Sequence, residues 1–282
     1  MVKKALLVGI NYKSSPENEL RGCIKDVQNM REILTNNCGY SSTNLRMLTE
    51  ESPIKPLRKN IEDNIAWLVS GCVAGDTLVF YYSGHGAFIK DNNADETDGK
   101  DEVIIPLDYE KAGVITDDYL RSNMVGKVPA GVTMWAFTDC CHSGTMIDLK
   151  YNYKSMCKYN KGKIVKGVPY NFQDWSNQYA MSVEKGNETQ GTVCLFSGCM
   201  DVETSADAYI QKTYQGAFSF CLMEFLKSNM ETKDGKVRFK GGVVKLRNLL
   251  KEINARLDIN GYVQNSQLSV GKVGDVDKTF DL

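Results

Sequence analysis

The sequence predicts an α/β fold in which a central, mostly parallel sheet is covered by helices on both faces. Short apolar runs alternate with amphipathic helical patterns from one end of the chain to the other, which is typical of strand–helix–strand crossover units. The apolar runs are continuous, as in strands buried on both faces. A hydrophobic content of 42% against 24% charged residues in 282 positions supports a packed core. With no internal repeat and no linker, we predict one domain over residues 1–282.

The first half of the chain contains the clearest elements. Residues 5–10 are predicted as a buried strand, and the apolar spacing of residues 23–34 predicts a helix that Gly39 terminates. A short strand at 45–48 precedes a second amphipathic helix, for which Ser52 is the expected N-cap, Pro53 lies in the first turn and Leu68 is the last apolar position.

Two further strands, 77–82 and 132–137, are rich in β-branched and aromatic residues, as central strands are. Residues 145–190 lose this periodicity and contain seven lysines, so we predict a long exposed excursion there. Regular structure resumes with predicted strands at 193–196 and 267–270 and predicted helices at 218–226 and 243–257.

Charge and cysteine usage limit the possible partners and compartment. Thirty-four basic against 35 acidic residues give a net charge of -1, which argues against a dedicated nucleic-acid binder or a polybasic membrane protein. No apolar run reaches the ~20 residues of a membrane span, and the amino-terminal run is too short for a secretory signal. The nine cysteines are odd in number and form no CxxC pair, so we expect free thiols and a cytoplasmic location.

The residues with catalytic potential follow two predicted central strands. His85 lies in Ser83-Gly84-His85-Gly86, and the other histidine, His142, directly follows the Cys140-Cys141 pair. A reactive cysteine needs an imidazole to remove its proton, because its free pKa is ~8.5. His142 is unsuited to Cys141, since adjacent residues on an extended segment point to opposite faces. His85 is therefore the predicted base for one cysteine of the pair.

The glycines around His85 have a use in the same chemistry. The amide of Gly86, together with the amide of the nucleophile, is a candidate oxyanion hole, and a chain without side chains lets substrate approach closely. The alternatives are a plain turn around a hydrogen-bonded histidine and, for Cys140 and Cys141, a strained vicinal disulfide or half of a metal site.

These motifs resemble those of the metacaspases, a family of caspase-like cysteine peptidases. The resemblance rests on four segments spread over nearly the whole chain, namely Tyr82–Gly86, Asp139–Gly144, Phe196–Asp207 and Tyr262–Ser269. It implies a caspase-like three-layer sandwich with a sheet of six to eight strands, in which 1–144 is the large-subunit-like region and 191–282 the small-subunit-like region, separated by the excursion at 145–190.

By that resemblance Cys141 is the nucleophile and Cys140 is a packing residue. The Gln-Ala-Cys signature of true caspases is absent, so cleavage after aspartate is not implied. The resemblance also implies a monomer. Relatives often have an extension before the first strand that this sequence lacks, so a regulatory prodomain is expected to be missing or supplied by a partner.

The family cleaves protein or peptide substrates after arginine or lysine, which requires a carboxylate in the pocket. Asp139, two residues before Cys141, is well placed for this, and the resemblance adds Cys23, Asp26 and Ser83. The alternative for Asp26 is an ordinary solvated carboxylate in the first turn of a helix, and a structural role is likewise the alternative for Asp139.

The resemblance further implies activation by calcium, with ligands at Asp101, Asp117, Asp118 and Asp148. Residues 91–102 contain six carboxylates, but Glu96 occupies the position where an EF-hand loop needs glycine, so that loop type is rejected. Asp98 can replace Asp101 in the ligand set, and Asp117 and Asp118 are also suited to a helix start, where the dipole favours carboxylates.

The leading hypothesis is thus a calcium-stimulated cysteine endopeptidase, with Ca²⁺ outside the chemical step and self-cleavage of a zymogen in the lysine-rich excursion. The alternative from another class is a non-catalytic caspase-like scaffold. A nucleotide-binding α/β protein is disfavoured, because residues 11–14 after the first strand are not a glycine-rich phosphate loop.

Overall fold

The structure is a computed structural model that describes residues 1–90, 100–140, 145–155, 158–160, 163–166, 179–198, 207–210, 213–233, 236–262 and 264–282. Its centre is a sheet of eight strands. Five are parallel, namely β1 (Lys3–Gly9), β2 (Leu45–Thr49), β3 (Thr77–Ser83), β7 (Thr133–Asp139) and β12 (Thr192–Ser197). Three antiparallel strands extend it, namely β8 (Tyr151–Ser155), β11 (Tyr179–Val183) and β17 (Gln267–Val270). The order across the sheet is β11-β8-β17-β12-β7-β3-β1-β2.

Helices cover both faces of this sheet. The helices of the described residues are α1 (Cys23–Asn37), α2 (Arg58–Val69), α3 (Tyr109–Ala112), α4 (Asp117–Asn123), α5 (Ala217–Asn229) and α6 (Leu246–Ile259). Apolar side chains of α1, α5 and α6 pack on one face of the central strands, and those of α2 and α4 pack on the other. Successive strand residues alternate between the two cores, as in Leu6 and Leu7. The predicted three-layer fold with a sheet of six to eight strands is confirmed.

Short antiparallel sheets lie outside the main one. One contains β4 (Gly86–Lys90), β5 (Lys100–Ile104) and β6 (Ile115–Thr116) and begins directly after His85. The others are the pairs β9 (Lys158–Asn160) with β10 (Lys163–Lys166), β13 (Asp207–Ile210) with β14 (Thr213–Gly216), and β15 (Met230–Lys233) with β16 (Lys236–Phe239). Among the described helices, none has the length and apolar character needed to cross a membrane.

The second helix begins later than predicted. Ser52 is no N-cap, because its hydroxyl accepts a hydrogen bond from the Thr49 amide at 2.8 Å and lies 2.7 Å from the Ile54 carbonyl oxygen. The segment around Pro53 is therefore a turn after β2, and α2 starts at Arg58. A hydroxyl beside proline favours both a turn and a helix start, so the local signal was ambiguous.

The segment 145–190 differs from the predicted exposed excursion. Its two ends form β8 and β11, which pair with each other and attach to the main sheet through β17. Tyr153, Tyr179 and Asn152 are buried in these strands, and Met146 and Ile147 are buried just before them. The prediction was therefore wrong for these ends of the segment, whereas 156–157, 161–162 and 167–178 lie outside the described residues.

Candidate active site

The site is built at the carboxyl edge of the parallel strands. Gly9, Ser83 and Asp139 are the last residues of β1, β3 and β7, and the register pairs Gly9 with Ser83 and Ser83 with Asp139. The start of α1 crosses this edge so closely that a Cβ on Gly9 would be 2.6 Å from the Cys23 carbonyl oxygen. Glycine at position 9 therefore lets α1 place Cys23 and Asp26 beside the strand ends.

Asp26 is a buried carboxylate and not a solvated one. It is only 1% exposed. Its Oδ2 accepts hydrogen bonds from the Ser83 hydroxyl at 2.9 Å and from the Gly216 amide at 3.1 Å. The interpretation of Asp26 as an ordinary solvated first-turn carboxylate is therefore wrong, and residues of two other elements, β3 and β14, bind its charge at the strand edge.

Asp139 is held in a similar way. It is 4% exposed, and its Oδ2 accepts hydrogen bonds from the Ser219 amide at 2.8 Å and the Ser219 hydroxyl at 2.6 Å. The Tyr81 hydroxyl in turn hydrogen-bonds to Ser219. Burial raises the pKa of Tyr81 well above its usual range, with smaller contributions from the charges of Asp26 and Asp139, so this phenol stays a neutral donor.

The two carboxylates meet at Gly216. A Cβ built on Gly216 would be 2.1 Å from Asp139 Oδ2 and 3.0 Å from Asp26 Oδ2, so these oxygens are no further apart than the sum of the two distances. Gly216 immediately precedes α5, whose first amides point outward. The amino end of α5 therefore stabilises two negative charges that would otherwise repel each other.

His85 lies between β3 and β4, half-buried at the same edge. Its Nε2 is 2.7 Å from the carbonyl oxygen of Asn18. Because a carbonyl oxygen only accepts, Nε2 carries the hydrogen in the neutral imidazole and Nδ1 is left as the basic nitrogen. This contact therefore favours the tautomer in which Nδ1 carries the lone pair.

The predicted nucleophile, Cys141, and its neighbours His142, Ser143 and Gly144 lie outside the described residues. The Cys140 side chain is buried at the end of β7. Gly86, predicted for the oxyanion hole, directly follows His85. It is the first residue of β4 and pairs with Ile104 of β5. Its role with the Cys141 amide remains a prediction.

The carboxylates predicted to bind calcium lie on the face of the main sheet that α2 and α4 cover, and in the loops beside it. Asp101 is buried in β5. Asp117 and Asp118 are the first two residues of α4, a position at which carboxylates are also favoured by the helix dipole. Asp148 lies in the segment between β7 and β8 and has a φ of 57°. Burial lowers the pKa of Arg121, and the negative charge of Asp148 partly offsets that lowering. Within the described ranges, no three His, Cys, Asp or Glu side chains gather closely enough to hold a metal ion. The alternative residue Asp98 lies outside those ranges.

The structure adds Glu102, one of the six carboxylates of residues 91–102, which was not among the ligands predicted from the sequence. Glu102 is buried next to Asp117, whose Oδ2 also accepts a hydrogen bond from the Glu102 amide at 2.7 Å. Burial, together with the hydrogen bond to the Glu102 side chain, raises the pKa of Asp117 to about 9. Two buried carboxyl groups in contact are suited to sharing a cation or a proton.

Four residues of the active-site edge were also missed, namely Tyr12, Asn18, Gly216 and Ser219. Each joins the site through a contact between positions distant in the chain, such as the pairs 12 and 85 or 139 and 219. A signal existed only for Gly216, as a glycine just before a predicted helix.

The fold and this edge define an α/β domain of the caspase-like class. The caspase-1 of Spodoptera frugiperda superposes with a TM-score of 0.51 at 11% identity, covering 95% of this chain and 85% of that one. A protein of Geobacter sulfurreducens superposes with a TM-score of 0.64 at 23% identity, covering 99% and 97%. At these identities the likeness concerns the fold alone.

Sequence comparison gives the family. A model of the metacaspase, peptidase C14 domain matches residues 3–150. Metacaspase-1 of Arabidopsis thaliana is 38% identical over 81% of this chain, which spans 60% of that relative. Metacaspase-1 of Meyerozyma guilliermondii is 34% identical over 99% of this chain, which spans 72% of it. The chain belongs to the metacaspase family of cysteine peptidases, as its motifs predicted.

Proposed function

We propose that this chain is a cysteine endopeptidase that cleaves polypeptides after arginine or lysine. The observation that carries the proposal is the convergence of the buried Asp26 and Asp139 carboxylates at Gly216, on the strand edge that also bears His85. Buried carboxylates are stable when a cation pairs with them, and a guanidinium or ammonium from the substrate supplies one. Cys23 and Ser83 line the same strand edge in this proposal.

The chemistry follows from the tautomer of His85. With Nε2–H donated to the Asn18 carbonyl, Nδ1 accepts the proton of the Cys141 thiol. The thiolate adds to the scissile carbonyl carbon, and the amides of Gly86 and Cys141 stabilise the oxyanion. The C–N bond then breaks as the imidazolium protonates the leaving amine. Water, deprotonated by His85, hydrolyses the thioester and restores the free thiol.

Calcium is proposed as an activator held by Asp101, Asp117, Asp118 and Asp148, which have to move together on binding, since no three of them gather closely enough to hold a metal ion in this structure. The buried contact of Asp117 with Glu102 supports a cation at this place, because it brings two carboxyl groups together away from water. When bound, the ion would supply positive charge in place of the proton that Asp117 keeps beside Glu102. The ligands belong to β5, to the start of α4 and to the segment after β7, so holding them together favours an ordered, competent arrangement of the site.

Three further features belong to the proposal. Self-cleavage is expected in 145–190, where Lys185 lies in an exposed turn after β11. A monomer is expected, since β8 and β11 extend the sheet beyond β17. A cytoplasmic location rests on the cysteine pattern of the sequence.

The experiment that tests the reaction uses short fluorogenic peptides ending in Arg, Lys or Asp, with calcium or with chelator. We expect calcium-dependent cleavage after Arg or Lys that Cys141→Ala abolishes and that Asp139→Asn lowers by about 100-fold or more in kcat/KM. Cleavage after Asp would contradict the role of the two carboxylates. No cleavage of any peptide by a folded chain would favour the non-catalytic scaffold.

The test of self-cleavage is the mass of the chain after long incubation with calcium. A cut after Lys185 or another basic residue of 145–190, absent in Cys141→Ala, is the expected result. An intact chain under conditions where peptides are cleaved would contradict self-processing alone.

A further inference from the structure

Tyr12 has an unusual backbone and a buried side chain at the active-site edge. Its φ is 53°, in the left-handed region that residues other than glycine rarely adopt, and its side chain is buried. Such a conformation persists only where the surroundings fix it. The cause lies in the contacts of its ring and hydroxyl group with the segment around His85.

Two tyrosine hydroxyls hold the backbone of His85. Tyr12 Oη accepts a hydrogen bond from the His85 amide at 3.1 Å and donates to the Ile105 carbonyl at 2.6 Å. Tyr82 Oη donates to the His85 carbonyl at 2.6 Å. The two hydroxyl oxygens are 3.2 Å apart. The backbone amide and the backbone carbonyl of His85 are therefore both hydrogen-bonded to buried tyrosine hydroxyls that lie next to each other.

Gly84 makes room for this arrangement. A Cβ at position 84 would be 2.7 Å from Tyr82 Oη and 3.1 Å from Tyr12 Oη. Any larger residue there would displace one of the hydroxyls. The glycine before His85 thus has a packing reason that is separate from any contact with substrate.

Tyr12 also contacts the imidazole itself. The two ring centroids are 4.6 Å apart at an interplanar angle of 40°. The Tyr12 carbonyl accepts a hydrogen bond from Ser15, whose own carbonyl accepts one from Asn18. Tyr12 therefore begins the turn that brings the Asn18 carbonyl to Nε2 of His85.

Both phenols remain neutral while they do this. Burial raises the pKa of Tyr12 and that of Tyr82 far above their usual range. Their hydrogens are therefore available to the Ile105 and His85 carbonyls throughout the pH range in which an imidazole titrates.

We propose that Tyr12 and Tyr82 are positioning residues that fix the backbone and ring of His85, so that Nε2 faces the Asn18 carbonyl and Nδ1 is the base. The inference rests on the proposed function in that it assigns the base role to His85. If the His85 imidazole moves away from the Asn18 carbonyl, the reaction slows while the affinity for substrate stays the same, so the effect falls on kcat.

The test compares Tyr12→Phe and Tyr82→Phe, which keep the rings, with Tyr40→Phe as control. Tyr40 is another buried tyrosine, and its hydroxyl has no hydrogen-bond partner among the described residues. We expect each of the first two variants to lower kcat by about 10- to 100-fold with KM within about 3-fold, and the control to match the original chain.

A second readout does not need activity. The chain has only two histidines, so ¹⁵N NMR resolves the His85 imidazole once His142→Gln has assigned the other signals. We expect the Nε2–H tautomer in the original chain and in Tyr40→Phe, and a mixture of tautomers in the two test variants.

The outcomes separate this inference from the proposed function. If no peptide is cleaved, the NMR comparison still decides whether the hydroxyls orient His85. If Tyr12→Phe does not fold, Tyr82→Phe carries the test. An unchanged His85 tautomer in a folded test variant, whether or not kcat falls, would overturn the proposal.

Discussion

Asp26 and Asp139 reach the same point from different elements, one from the first turn of α1 and the other from the end of β7. A Cβ built on Gly216 would be 3.0 Å from Asp26 Oδ2 and 2.1 Å from Asp139 Oδ2. Both carboxylates are also bound by backbone amides at the amino end of α5. The position of these charges therefore depends on a residue that itself has no side chain.

Gly216→Ala is expected to disable the site. The added methyl group would displace the Asp139 carboxylate from Ser219, so we expect kcat/KM for Arg and Lys peptides to fall by about 100-fold or more. Overpacking should also lower the free energy of unfolding by about 1–3 kcal/mol. Peptide kinetics and denaturant unfolding measure the two effects.

The control for that substitution is Gly274→Ala, because a Cβ at Gly274 would meet no atom within 4 Å. It should leave both quantities unchanged. Full activity of Gly216→Ala would mean that the substrate side chain does not enter between the two carboxylates.

Ser219→Ala tests whether the Ser219 hydroxyl fixes the position of the Asp139 carboxylate. The change removes one of the two hydrogen bonds that Ser219 donates to Oδ2, and with it the group to which the Tyr81 hydroxyl is bonded. Leaving a buried phenol unsatisfied costs about 1–3 kcal/mol of stability, and a less fixed Asp139 should raise KM for Arg peptides by about 10-fold. Ser228→Ala, at an exposed position of the same helix, is the matched control. An unchanged KM would assign Ser219 to folding alone.

The central fold was predictable because its strands are continuous apolar runs. The span predicted for the last strand, 267–270, matches β17 as observed, and the ends of β3 and β7 were located to within a residue or two. The strands β8 and β11 were missed, since their sequences mix tyrosine with polar residues such as Asn152 and Lys154. Their burial comes from pairing at the edge of a sheet, which local periodicity does not report.

The site was predictable where chemistry is concentrated in one motif, as around His85 and Asp139. Its supporting residues were not, because their contacts join positions far apart in the chain. Ser219 lies in an apolar helix that reads as core, and Tyr12 lies in a loop that reads as a connection. Only the three-dimensional arrangement shows that one hydroxyl holds Asp139 and the other holds His85.

Asp76 is expected to make stability depend on pH. It is 5% exposed and accepts hydrogen bonds from the amides of Val2 at 2.6 Å and Val73 at 3.1 Å. The bond from Val2 is the main reason that its pKa is lowered. A lowered folded pKa means that the carboxylate stabilises the fold above the unfolded pKa of ~3.9 and that this contribution is lost as pH falls through the folded value.

Asp76→Asn should accordingly lower the free energy of unfolding by about 1 kcal/mol at pH 7, with the difference disappearing as the pH falls through the lowered folded pKa of Asp76. Denaturant unfolding at a series of pH values measures it. Asp63→Asn, an exposed carboxylate paired with Lys59 on α2, should show little difference at any pH. A difference for Asp76→Asn that persists in acid would show that the charge is not the cause.

Glu102→Gln is expected to weaken calcium binding and to leave the fold without the ion nearly unchanged. Without the ion, the raised pKa of Asp117 keeps a proton on the pair, and the amide oxygen of a glutamine at 102 still accepts its hydrogen bond, so the melting temperature with chelator should change little. With the ion, the loss of a negative charge next to Asp117 should weaken calcium binding, so the calcium concentration that gives half-maximal stimulation should rise by about 10-fold. Glu110→Gln, at an exposed position nearby, is the control and should change neither quantity. An unchanged calcium midpoint in Glu102→Gln, together with a normal response to chelator, would show that the ion binds away from the Asp117 and Glu102 pair.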